Sequence, residues 1–216
     1  MNGPIYLSSS TERIAGVLGR DIGPGTYRVA LITTGAEVEK EKGWLLRDLT
    51  AIKALPGWDT FEYTISGKTP TEIAIDLKDV DILYVAGGNV LYLLQHMQQS
   101  GFIPFAQEHV RAGKMYIGQS AGAIVAAPDI SAAYRSDMEA HSPNLKGYAA
   151  LNLVPFIVLP HWGSDKSREI YFSERLPRAY SEDCTPIPLN DYQYIAVKAD
   201  TYRLVDTRNM AATIAV

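Results

Sequence analysis

The run Gly118-Gln119-Ser120-Ala121-Gly122 has the G-x-S-x-G spacing of a nucleophile elbow. On such a turn a serine hydroxyl stands above the end of a strand, and the small neighbours let a substrate approach. The backbone N–H groups that follow sit at a helix N-terminus, where developing negative charge is favoured. A serine hydroxyl becomes a useful nucleophile once a base takes its proton. The chain has four histidines. His96 and His109 fall in helical patterns and read as solvated surface residues. His141 lies in an irregular stretch from which it could approach a site. His161 ends a buried strand run, where residues of open α/β sheets gather around ligands, so it is the stronger base. Its competing reading is a histidine that merely caps the strand.

These residues need elements to carry them. Ile5–Leu7, Tyr27–Thr34, Thr60–Ile65, Val80–Ala86 and Lys114–Ile117 have strand patterns. Helical patterns over Thr11–Leu18, Val38–Leu55, Val90–Gln99 and Phe102–Ala112 alternate with them, and Thr69-Pro70-Thr71-Glu72 looks like a helix start. This alternation predicts a mostly parallel sheet with helices on both faces, an α/β/α sandwich. In such sheets ligands bind beyond the carboxyl ends of the strands, which places Gly87-Gly88-Asn89 beside the Ser120 turn. Asp129–Gly147 is polar and irregular. Further strands are expected at Leu151–Leu159, Thr185–Leu189, Tyr192–Lys198 and Thr201–Asp206, with turns at Asn190-Asp191 and Ala199-Asp200. Ser164–Leu176 is helix-like, and the tail Asn209–Val216 is apolar enough for one more strand. No linker or repeat interrupts the chain, so residues 1–216 are expected to form one domain.

Composition narrows the function classes. The chain has 216 residues, 47% hydrophobic and 20% charged, which suits a globular protein with a substantial core. A net charge of -4 provides no electrostatic footprint for nucleic acid. The lone Cys184 cannot form an internal disulfide, which favours a reducing compartment. Met1-Asn2-Gly3-Pro4 runs straight into a strand pattern, so no signal peptide is expected, and no stretch approaches the ~20 apolar residues of a membrane span. A cytoplasmic protein without membrane partners is the expectation. A monomer and a homodimer are both compatible with the sequence.

Gly87-Gly88-Asn89 after an apolar strand, the Ser120 elbow with Ala121-Gly122-Ala123, and Leu159-Pro160-His161-Trp162 after a later strand resemble the peptidase E / cyanophycinase family of serine peptidases. The resemblance covers residues 80–165 and implies a class I glutamine amidotransferase-like (flavodoxin-like) fold, with serine in place of those relatives' cysteine. It implies a Ser120–His161 pair, no metal and no cofactor. It also implies an oxyanion hole from the N–H groups of Gly88 and Ala121, in a pocket lined by Asn89 and Gln119. Asp137, in an Asp137-Met138 pair, matches the family aspartate that would orient the imidazole, with Glu139 as the alternative. The implied substrate is a short peptide, with a dipeptide bearing N-terminal aspartate foremost. Arg168 would then bind its carboxylate, or remain a surface residue, and Arg135 is a second acid-binding group. A different serine hydrolase, a silent binding module and an amidotransferase-like partner subunit are the competing readings.

Overall fold

The computed structural model describes residues 2–181, 184–199 and 201–210. Seven strands form the main sheet, in the order β3-β2-β4-β5-β1-β8-β9. They are β1 (Ile5–Ser8), β2 (Tyr27–Ile32), β3 (Trp58–Tyr63), β4 (Ile82–Val85), β5 (Met115–Gln119), β8 (Gln193–Lys198) and β9 (Thr201–Asp206). The first five run parallel, and β8 and β9 add on antiparallel beyond β1. A separate parallel pair joins β6 (Ile157–Pro160) to β7 (Pro186–Leu189).

The central strands are buried on both faces, as a parallel sheet covered by helices requires. Alternate residues of β4 divide between two cores. Ile82 and Tyr84 pack with Ile14, Leu18, Leu49 and Ile52, which brings α1 (Ala15–Ile22) and α2 (Gly43–Lys53) onto one face. Leu83 and Val85 pack with residues of α3 (Pro70–Asp76), α4 (Val90–Ser100), α5 (Phe102–Arg111) and α6 (Ala121–Ile124) on the other. The start of α3 is a capping box: Thr69 Oγ1 accepts from the Glu72 N–H, while Glu72 accepts from the Thr69 N–H.

Several elements depart from their sequence patterns for physical reasons. The helix expected from Val38 begins only at Gly43: β2 runs into a 3₁₀ turn at Thr34–Ala36, where the Glu37 and Glu39 N–H groups donate back to Thr34 O and Ala36 O, and residues 37–42 form no regular element. The apolar run Leu151–Phe156 is not strand. Its N–H groups donate to Val125, Ala126 and Ala127 carbonyls just past α6, so only Ile157–Pro160 reaches a ladder. The helix after His161 is longer than expected: α7 (Asp165–Ile170) passes through a π-helical turn (Tyr171–Arg175) into α8 (Leu176–Ser181). Of the expected C-terminal strand, the first residues fall in α9 (Thr207–Met210), and the rest lies outside the described residues. His109, expected to be solvated, is buried on α5. Its Nε2 lies 3.1 Å from Met115 O, and burial pushes its pKa down to about 4, so it packs as the neutral ring.

Close packing fixes the elbow. A Cβ on Gly122 would lie 2.0 Å from the Val85 carbonyl oxygen, and one on Gly118 would lie 2.4 Å from that of Gly122. Tyr116 Oη donates to the same Gly122 oxygen at 2.7 Å. Gly122→Ala therefore forces α6 away from β4 and should lower stability by about 1–3 kcal/mol. A urea-unfolding midpoint unchanged from wild type would show instead that α6 can shift freely.

Candidate active site

Ser120 sits between β5 and α6 with φ 50° and ψ −107°, a conformation uncommon for a residue with a side chain. Its N–H donates to Ser8 O at the end of β1, and its carbonyl accepts from Ala123 and Ile124 in α6. The hydroxyl is thereby turned out over the carboxyl edge of the sheet, 3.0 Å from His161 Nε2.

His161 follows β6 with φ 66°. Its backbone N–H donates to Ser9 Oγ, and Ser9 Oγ donates in turn to Leu189 O. The buried Ser9 hydroxyl so ties the end of β1 to the ends of β6 and β7. The register Pro160↔Leu189 then brings the residues after β7 alongside His161. Asp191 is the one that meets it: Oδ1 lies 2.8 Å from His161 Nδ1. Two hydrogen bonds shape the Asp191 turn: Asn190 Oδ1 accepts from the Tyr192 N–H, and Asn190 O accepts from the Gln193 N–H.

Asp137, the expected partner of His161, is elsewhere. Its carboxylate accepts from Arg135 Nε and Nη2 at 3.0 and 2.5 Å. Glu139 accepts from Tyr134 Oη instead. The nonlocal pairing of β6 with β7 is what sequence reading lacked. The only local sign was the Asn190-Asp191 turn after a strand.

Gly88 and Ala121 border the same cleft as Ser120, His161 and Asp191, a space of about 410 Å³. Gly88 has φ 121°, and a Cβ there would lie 2.1 Å from Gly35 O, so only glycine fits. Gln119 lines the cleft, but its amide also works as a clamp. Its Oε1 accepts from the Gly87 N–H and its Nε2 donates to Ser9 O, which joins the two strand ends flanking the elbow. Asn89 is buried as the cap of α4: Oδ1 accepts from the Leu91 and Tyr92 N–H groups, and Nδ2 donates to Met138 O.

Arg168 is exposed and borders a different pocket with Trp162, Tyr171 and Phe172. Arg13, Arg47, Arg135 and Arg175 reach the cleft instead, and of these Arg175 is buried, 6% exposed, a residue that the sequence pattern does not mark. The π-turn puts Tyr171 and Arg175 on one side, where both donate to the Pro160 carbonyl next to His161. Among the described residues no group of three or more His, Cys, Asp or Glu could hold a metal ion, and no helix is long and apolar enough to cross a membrane.

A family model, Peptidase family S51, matches residues 6–205. The chain belongs to peptidase family S51. An uncharacterized peptidase of Pasteurella multocida is 33% identical over 173 residues, covering 80% of this chain and 82% of its own length. A peptidase E of Shewanella oneidensis is 36% identical over 88 residues, 41% of this chain and 36% of its own. Among solved structures, a candidate peptidase E protein from Listeria monocytogenes superposes with a TM-score of 0.86 at 27% identity, covering 95% of this chain and 99% of that one. A peptidase from an acI-B1 Actinobacterium shares the fold, with a TM-score of 0.67 at 18% identity over 95% of this chain and 88% of that one. The S51 chain thus has the expected class I glutamine amidotransferase-like sandwich, and its family is one of peptidases.

The His161 hydrogen bond holds the Asp191 carboxyl below the usual aspartate range, against the opposing effect of burial. Stability from this pair is complete above the unfolded value of ~3.9 and is lost as pH falls through the depressed native value. Urea midpoints taken from about pH 6 down to about pH 2.5 should therefore fall less steeply in Asp191→Asn than in wild type. Equal slopes would mean that the pair contributes nothing to the native state.

Proposed function

We propose that this S51 protein is a serine-type peptidase that cleaves short peptides by acyl transfer. The observation that carries the reading is the unbroken line from Ser120 Oγ through His161 to Asp191, at 3.0 and 2.8 Å, opening on one cleft. His161 Nε2 takes the Ser120 proton as the hydroxyl attacks the scissile carbonyl. Asp191 accepts from Nδ1–H, which keeps Nε2 free to act as the base and stabilises the imidazolium that forms. The Gly88 and Ala121 N–H groups receive the oxyanion, helped by the N-terminal end of α6. His161 then returns the proton to the leaving amine, and water releases the acyl group by the reverse sequence.

A cleft of about 410 Å³ falls within the size range of small-ligand sites, ~300–1,000 Å³, which supports a short peptide as substrate. Arg175 supports an acidic residue on the acyl side, with N-terminal aspartate foremost. A buried guanidinium at the cleft wall favours a carboxylate over an apolar side chain.

Steady-state hydrolysis of an Asp-X dipeptide tests the assignment. Ser120→Ala should lose at least about 10³-fold in kcat/KM, and Asp191→Asn about 10²–10⁴-fold in kcat with the fold retained. Full activity in Ser120→Ala would remove Ser120 as nucleophile, and full activity in Asp191→Asn would remove Asp191 from the proton relay.

A further inference from the structure

Asp48 is a buried carboxyl that the acyl-transfer steps do not use. It lies on α2, 4% exposed, against the wall of the cleft. The neighbouring guanidinium, Arg47, pairs with Glu12 at 3.1 Å instead. A carboxylate taken out of water is costly unless hydrogen-bond donors surround it. Burial pushes the Asp48 pKa up, against hydrogen bonds from the Glu12 and Thr11 backbone and from the Ser10 hydroxyl. Asp48 Oδ1 accepts the Glu12 N–H at 2.6 Å, and Ser10 Oγ donates to the same oxygen at 3.3 Å.

These donors share one place in the chain. They belong to the turn that leads from β1 toward α1, and the start of that turn meets the site directly. Ser8 O accepts the Ser120 N–H, and Ser9 O accepts from Gln119 Nε2. Ser9 Oγ accepts the His161 N–H and donates to Leu189 O. One short segment thus holds the elbow on one side and the histidine on the other.

That segment, Ser8-Ser9-Ser10-Thr11, has no large apolar side chain to anchor it in the core. Polar anchors hold it instead. Thr11 Oγ1 lies 2.9 Å from Tyr84 Oη on β4, and Asp48 takes the next residue by its N–H. Without the carboxylate, the Glu12 N–H and the Ser10 hydroxyl lose their acceptor, and the turn loses its hold on α2.

We propose that Asp48 is a positioning residue for the proton relay: by gripping the turn after Ser9, it sets where Ser120 and His161 meet. Its use in catalysis rests on the serine-peptidase reading, whereas the geometry can be tested without it.

Amide hydrogen exchange reads that geometry. In Asp48→Ala the Ser120 and His161 N–H groups should exchange at least about tenfold faster than in wild type, with Ala30 in β2 unchanged. Asp48→Asn, which keeps an acceptor oxygen, should bring both amides back near their wild-type rates. Unchanged Ser120 and His161 amides would overturn the proposal, and so would an equal acceleration at Ala30, which would make Asp48 a general stabiliser. On an Asp-X dipeptide, Asp48→Ala should lower kcat by about 10–10²-fold with KM within about twofold. A raised KM at constant kcat would place Asp48 against the substrate and overturn the positioning role. Should Asp48→Ala fail to fold, Asp48→Ser, with a side chain too short to replace the carboxylate oxygen, takes its place with the same expectations. A parent protein that cleaves no peptide yet shows the local exchange pattern would defeat the peptidase reading and leave the positioning role standing.

Discussion

The site depends on one close approach, that of α6 against the end of β4. Gly122 sits so near the Val85 carbonyl that no side chain fits between them, and buried Ala121, Ala123 and Ile124 fill the space around it. This packing keeps Ser120 at φ 50°, a backbone state that costs about 1–3 kcal/mol and persists only where its surroundings over-determine it. The other parts are located relative to that turn. Gly35 buttresses Gly88 on one side, and Ser8 accepts the Ser120 N–H on the other. Ser9 carries the same strand end across to His161 and Leu189. A hydroxyl at the elbow and an imidazole on a different sheet are thus held 3.0 Å apart by backbone and buried side chains rather than by mobile loops.

Local chemistry made the first half of the chain legible. Short apolar runs ending in glycine marked β4 and β5 because strands buried on both faces must be continuously apolar. The elbow and Gly88 were legible because close backbone approach admits only glycine there. Asp191 was not legible as the partner of His161. Its position depends on β6 pairing in parallel with β7 across a long intervening helix, and no local pattern encodes that register. Asp137 drew attention as an acidic residue in a polar loop, but Arg135, two residues away, captures it first. Leu151–Phe156 misled for a related reason. An apolar run is buried either way, and here its N–H groups find carbonyls past α6 instead of a strand.

Arg175 shows how an irregularity in a helix can serve a site. The π-turn brings Tyr171 and Arg175 together onto the Pro160 carbonyl, and the Arg175 guanidinium lies over the Tyr171 ring at 5.2 Å. That carbonyl belongs to the residue before His161, so a cation at the cleft wall is fixed to the segment that carries the imidazole. Arg168, one helical stretch earlier, falls on the outer side with exposed Phe172. Helical spacing alone would not separate the two arginines. The extra residue in the π-turn does.

The central claim is that Ser120 is a nucleophile made reactive by its neighbours. It is tested most directly by exposing the folded protein to a fluorophosphonate probe and locating the adduct by peptide mass mapping. The account predicts one adduct per chain, on Ser120, formed much more slowly when Asp191 is replaced by asparagine. No adduct on the folded protein, or an adduct on another residue with Ser120 unmodified, would contradict it.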